Sequence, residues 1–196
     1  MGTNIDRQFA IFDVGATEAP RQYTISSARL QLRAPKLTDC AASQALWSDP
    51  LVYRYIREVP QTYAKAHARL MTYAGLWALH GYGYFCVEER DSGKFVGEAG
   101  FGSFDRGLGT HFDDAPEAGW VMCSQIHGNG YGRELLQMLC YFADEVAKFP
   151  RSVAMIDPHN AASLAVARRA GFKAYDKASF EDSEVLLFER LRGARA

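Results

Sequence analysis

Ser124-Gln125-Ile126-His127-Gly128-Asn129-Gly130-Tyr131-Gly132-Arg133-Glu134-Leu135 joins a predicted strand, Glu117 to Cys123, to a predicted helix opening near Tyr131. Three glycines at alternate positions leave a loop almost free of side-chain bulk. It can bend through positive φ and bring a ligand against the backbone. The helix behind it presents unpaired N–H groups and a dipole end of about half a positive charge. Such a junction is an anion site, and phosphate is its usual occupant. The dinucleotide pattern G-x-G-x-x-G fails, because Arg133 stands where the third glycine belongs and no early βαβ unit precedes it. The P-loop fails for want of a Gly-Lys-Ser/Thr triplet.

On the N-terminal side of the loop, Ala28 to Arg33 alternates as a strand should, and Thr38 or Asp39 caps a helix through about Trp47. Pro60-Gln61-Thr62 opens a longer helix with Ala66, Leu70, Tyr73 or Ala74, and Trp77 on one face, and Gly81 ends it. Tyr84 to Glu89 and Lys94 to Phe101 are strands joined by the turn Asp91-Ser92-Gly93, and Arg106 to Pro116 reads as a loop. On the C-terminal side, Leu135, Leu136, Leu139, Phe142 or Ala143, and Val146 form the buried stripe of a helix running to about Lys148. Ser152 to Ile156 is a strand, Asn160 caps a helix ended by Gly171, and Phe172 to Tyr175 and Glu184 to Glu189 are the last strands. Frequent hairpins with partial helix–strand alternation predict an α/β (α+β) domain, a mixed central sheet of about six or seven strands with helices on both faces. Residues 1–24 read as an N-terminal extension, 25–191 as the domain and 192–196 as a tail.

A chain of 196 residues, 48% apolar and 23% charged, is an ordinary globular domain. The net charge of −1 argues against a nucleic-acid surface. Cys40, Cys86, Cys123 and Cys140 lie far apart without C-x-x-C spacing, so reduced thiols in a cytoplasmic protein are expected. The first residues lack the basic and apolar regions of a signal peptide, and no run approaches membrane-spanning length. His67, His80, His111 and His159 show no metal-ligand spacing, so no metal is expected. No G-x-S-x-G elbow occurs.

What the loop does fit is Q/R-x-x-G-x-G/A, as Gln125-Ile126-His127-Gly128-Asn129-Gly130. With it stand the Arg29-Leu-x-Leu-Arg33 strand, a Gly97-Glu98 turn, the Gly119-Trp120-Val121-Met122 strand, and Asn160-Ala161-Ala162-Ser163 leading to Gly171-Phe172. In order and spacing these pieces resemble the GNAT superfamily of N-acetyltransferases, in its RimJ/RimL-type branch, over roughly Ser26 to Glu189. The resemblance implies a GNAT fold with a splay between its central strands, where acetyl-CoA inserts its pantetheine arm. It implies that Trp120, Val121 and Met122 offer backbone groups to that arm, a form of strand addition. Gln125, His127, Gly128, Asn129, Gly130, Tyr131 and Gly132 would hold the pyrophosphate, and Asn160 and Ser163 the distal pantetheine. His127 occupies a position where Arg or Lys is common, and it is charged only below about pH 6.5.

The implied reaction is direct attack of a primary amine on the thioester. An ammonium is not a nucleophile, so a base must take its proton, and Glu117 is the candidate. Backbone N–H groups would meet the oxyanion. Many relatives protonate the departing thiolate with a Tyr where this chain has Ala167, so Ser163 takes that role by analogy. Deprotonating an α-amino group costs about 1 kcal/mol at pH 7 against about 4–5 for lysine, which favours a peptide N-terminus or a small-molecule amine of low pKa. Asp113 and Asp114 beside Glu117 would attract a cationic acceptor. A homodimer is expected from the resemblance, and an acyl-CoA-binding module without catalysis is the alternative reading.

Overall fold

The computed structural model describes residues 10–13, 23–56 and 60–194. Nine strands among the described residues form one sheet: β1 (Ala10–Asp13), β2 (Tyr23–Ser26), β3 (Leu30–Arg33), β4 (Tyr84–Glu89), β5 (Phe95–Gly102), β6 (Glu117–Met122), β7 (Arg151–Ile156), β8 (Lys173–Phe180) and β9 (Ser183–Leu191). Their order is β1-β2-β3-β4-β5-β6-β7-β9-β8. Only β6 and β7 run parallel, and their register is a single pair, Glu117 with Val153. Beyond that pair the two strands part, which is the expected splay. The seven expected strands are present, and β1 and β2 extend the sheet past β3. Ala10-Ile11-Phe12-Asp13 is an apolar run without alternation, while Tyr23-Thr24-Ile25-Ser26 alternates over four residues as β3 does, a signal that sequence reasoning missed.

Helices α1 (Cys40–Ser48), α2 (Pro50–Tyr53) and α3 (Tyr63–His80) precede β4, α4 (Thr110–Asp113) precedes β6, and α5 (Tyr131–Tyr141) and α6 (Ala161–Arg169) follow β6 and β7. Alternation along β4 sorts the layers. Phe85 and Val87 enter the core under α5 and α6 with Leu135, Leu139, Leu164 and Ala167. Tyr84 and Cys86 face the opposite way, onto Leu70, Tyr73 and Leu76 of α3. Helix α5 buries Leu135, Leu136, Met138 and Leu139, then widens into a π-helical segment, Phe142–Val146. That segment sets Phe142 among Tyr23, Trp77, Phe85 and Phe101, with ring centroids 5.4–6.1 Å apart.

The local stops behave as their chemistry requires. Thr62 Oγ1 accepts from Lys65 N–H at the start of α3, and Gly81 ends that helix at φ +73°. Three expectations need correction. Asp39 stands at the start of α1 but does not cap it. Its carboxylate takes both Nη groups of Arg33 and the N–H of Lys36 instead. Gly97-Glu98 is no turn but the interior of β5, where a Cβ at Gly97 would collide with the Val121 carbonyl. The segment 106–116 contains the short helix α4, held by Asp113, which accepts from the N–H groups of Arg106 and Gly109.

Candidate active site

The glycine loop folds back on the end of β6. A 3₁₀ turn, Ser124–Ile126, uses the His127 N–H on the Ser124 carbonyl, and the Asn129 N–H goes to the Ile126 carbonyl. The His127 ring closes on the strand as well, Nε2–H donating to the Met122 carbonyl at 2.9 Å. Two of the three glycines take the left-handed conformation, Gly128 at φ +79° and Gly130 at φ +78°. Nothing lies within 4 Å of a Cβ built on Gly128. Gly132 is already helical, and its place is the approach of α5 to Val166 of α6. The expected set of anion-holding amides therefore narrows. His127 and Asn129 spend theirs on turns, which leaves Gly128, Gly130 and the first turn of α5, Tyr131 and Gly132. Gln125, His127 and Asn129 are exposed on the loop surface.

Arg29 pins this loop to the sheet. Its Nη1 donates to the Asn129 carbonyl, its guanidinium lies 4.1 Å over the Tyr131 ring, and Tyr131 donates to Glu89. Arg29 is held in turn by Glu134 of α5, which accepts from Arg29 Nε, Arg29 N–H and Ser27 Oγ at 2.7, 2.9 and 2.6 Å. Burial raises the Glu134 pKa, but the Ser27 hydroxyl and the two Arg29 donors outweigh it and hold the carboxyl below its ordinary value.

Across the splay, Asn160 Oδ1 accepts from the Ser163 N–H at 3.0 Å and caps α6. Ser163 Oγ accepts from Trp120 Nε1 at 3.0 Å, a bond that spans from β6 to α6. With that lone pair used, the Ser163 hydroxyl keeps its own proton to give. Ala167, one turn further on, is fully buried and leaves no room for a tyrosine. Val121 points to the opposite face, onto Leu46, Trp47 and Val52.

On that opposite face Glu117 is 6% exposed, and Arg106 grips both its oxygens, Nε to Oε2 at 2.8 Å and Nη2 to Oε1 at 3.0 Å. Burial raises the Glu117 pKa more than Arg106 lowers it, so the carboxyl sits above its ordinary value. Arg106 is flanked by Phe104 and Phe180. Next in the row comes Tyr84, whose hydroxyl would collide with a Cβ at Gly119. That contact explains the glycine at the centre of β6. Sequence reasoning did not find Arg106, Tyr84 or Arg29, because each reaches its partner across the fold. Asp113 is occupied with loop N–H groups rather than facing an acceptor.

Among the described residues no group of His, Cys, Asp or Glu is arranged to hold a metal ion, and no helix is long and apolar enough to cross a membrane. The four cysteines are free thiols.

This arrangement can be set beside known proteins. Residues 29–173 match the acetyltransferase (GNAT) domain. An uncharacterized N-acetyltransferase, p20 of Bacillus licheniformis, is 24% identical over 176 residues, 86% of this chain and 96% of that one. A Bordetella pertussis structure, named for the GnaT acetyltransferase family, is 30% identical with a TM-score of 0.76, covering 85% of this chain and 98% of its own. RimL, a ribosomal L7/L12 α-N-protein acetyltransferase solved with coenzyme A, has the same fold at 18% identity and a TM-score of 0.67, over 85% of this chain and 96% of that one. With the domain match covering most of its length, the chain is an acetyl-transferring enzyme and belongs to the GNAT family of acetyltransferases.

Proposed function

We propose that the protein is an acetyl-CoA-dependent N-acetyltransferase of the RimJ/RimL type, working in the cytoplasm on a primary amine, either a peptide N-terminus or a small-molecule amine. The observation that carries the reading is the parting of β6 and β7 after Glu117 and Val153, beside the glycine loop and bridged by Trp120 and Ser163. The residues fit the group. Positive φ at Gly128 and Gly130, with open space at Gly128, lets a pyrophosphate approach the backbone, and the start of α5 favours its charge. Gln125, His127 and Asn129 border that site. The edge of β6 at Trp120, Val121 and Met122 suits pairing with pantetheine amides, the Met122 carbonyl once the His127 ring releases it.

Bound acetyl-CoA supplies an acetyl thioester. The amine forms an N–C bond to the acetyl carbon, the C–S bond breaks, and CoA leaves as the thiol. Glu117, raised by burial, takes the proton from the acceptor ammonium. Each of its oxygens retains a second lone pair beside the Arg106 bond. Ser163 gives the departing thiolate its proton, its Oγ being oriented by the Trp120 indole. Asn160 positions Ser163 through its cap.

Calorimetric titration with acetyl-CoA tests this reading, on the wild type and on Gly130→Asp. The built Cβ meets only Arg29 Nη2, at 3.6 Å, but φ at +78° strains any side chain there, so Gly130→Asn, with the same strain and no charge, is the control for the carboxylate that would repel the pyrophosphate. Micromolar binding by the wild type and a loss of at least tenfold in Gly130→Asp is the expected outcome. Absence of binding by the folded wild type would remove the proposal.

A further inference from the structure

Tyr84, at the start of β4, has no part in the chemistry proposed above. In the sheet register it pairs with Gly100 of β5, and Gly100 pairs with Gly119 of β6. Two of the three residues in this cross-strand row have no side chain, and the third lays its ring across both. A Cβ at Gly100 would collide with the Tyr84 backbone, and one at Gly119 with the Tyr84 hydroxyl. The paired glycines thus form a trough that carries a phenol from β4 to the middle of β6. The ring is held there by Tyr73 of α3, stacked at 4.5 Å with 5° between the planes, and by Phe104 at 6.1 Å.

The two hydroxyls of this stack have different fates. That of Tyr73 donates to Glu98 Oε2 at 2.9 Å, as does Trp47 Nε1. That of Tyr84 makes no hydrogen bond among the described residues. Tyr84 keeps 8% of its surface exposed, and its oxygen is not among the sealed, unpartnered polar atoms of the described residues, so the exposed part includes the hydroxyl. Tyrosines this deeply packed usually find a partner for the hydroxyl. One delivered through a fitted trough and left open is set for a group that the chain does not itself supply. Burial, and next the Glu117 carboxylate, hold its pKa above the ordinary value, so it keeps its proton and acts as a donor.

We propose that the Tyr84 hydroxyl is the side-chain donor of the oxyanion site, bonding the thioester carbonyl oxygen and, more strongly, the charge that gathers on it during transfer. This inference rests on the acetyltransferase reading, which brings the thioester into the gap between β6 and β7. That gap opens beyond the Glu117–Val153 pair, and Gly119 lies two residues, about 7 Å, past it. Trp120 and Ser163 meet on the α6 side of the gap, whereas Tyr84 and Glu117 stand on the α3 side. A thioester with its sulfur beside Ser163 therefore carries its carbonyl through to the level of Gly119. The amine nitrogen adds to the carbonyl carbon, and the π pair moves onto oxygen. Tyr84 meets that charge without giving up its proton, and the pair returns as the C–S bond breaks and Ser163 protonates sulfur. A clamped donor, needing no reorganisation at the moment of reaction, is what such stabilisation requires. Glu117 remains clear to take the proton of the ammonium.

Infrared difference spectra of carbonyl-¹³C acetyl-CoA, bound to the wild type and to Tyr84→Phe, test this without any acceptor amine. Phenylalanine keeps the ring in the trough and removes only the oxygen. The wild type is expected to move the thioester carbonyl band by about 10 cm⁻¹ or more below its position in free acetyl-CoA. Tyr84→Phe should give back about half of that shift or more, with the Kd for acetyl-CoA held within about fivefold, because the bond strengthens chiefly in the transition state. An unshifted band in the wild type overturns the proposal without any variant, as does a shift that survives nearly whole in Tyr84→Phe. Loss of acetyl-CoA binding in Tyr84→Phe would make the tyrosine a packing residue and overturns it equally. A folded wild type that binds no acetyl-CoA overturns the acetyltransferase reading beneath it.

Discussion

Glu134 gives a prediction that joins stability to cofactor affinity. Its carboxylate receives three donors, Ser27 Oγ, Arg29 N–H and Arg29 Nε, and through Arg29 it holds the Asn129 carbonyl of the glycine loop. Glu134→Gln keeps one carbonyl oxygen for Ser27 and the Arg29 N–H but turns an NH₂ against Arg29 Nε. A hydrogen bond to a charged group is worth about 1.5–3 kcal/mol. The Arg29 side chain is 43% exposed, so water screens part of that, and the lower end, about 1.5 kcal/mol, is the expected loss. At roughly 2–4 °C per kcal/mol for a chain of this size, Tm falls by about 3–6 °C. Glu134→Ala removes all three acceptor contacts and should cost about 3 kcal/mol, or roughly 6–12 °C. Glu134 has a folded pKa below its unfolded value near 4.3. Its stabilisation is complete above that value and disappears as pH falls through the lower folded pKa, so wild type and Glu134→Gln converge in strong acid. Scanning calorimetry from pH 7 to pH 2, with acetyl-CoA titrations at pH 7, measures both effects, and affinity is expected to weaken about threefold to tenfold as Arg29 lets go of the loop. Melting of both variants within 1 °C of the wild type would refute the reasoning.

Arg106→Met releases both oxygens of Glu117 while leaving it buried, and since burial raises its pKa and Arg106 opposes that rise, the acid limb of kcat/KM should move to higher pH. An unmoved limb would show that Glu117 is not the base. Ser163→Ala should lower kcat about tenfold to a hundredfold with little change in the KM for acetyl-CoA, because its Oγ, oriented by Trp120, is the proposed proton donor to the thiolate. An unchanged kcat in steady-state assays would remove Ser163 from the chemistry.

The amino-acid sequence by itself determined the parts whose physics is local. Glycine at alternate loop positions, asparagine ahead of α6, threonine ahead of α3 and the leucine stripe of α5 act within a turn or two of themselves, and the structure finds each where the pattern put it. The splay was legible only through the family resemblance, but the glycine loop beside it was legible directly. Only the tertiary structure decided what each carboxylate does. Glu98 and Glu117 both begin as charged residues in apolar strands. Register and helix packing give Glu117 an arginine from a loop eleven residues upstream, and give Glu98 an indole and a phenol that satisfy one oxygen and leave the other. Those partners are set by long-range burial, where desolvation makes every hydrogen bond count, and no spacing along the chain encodes them.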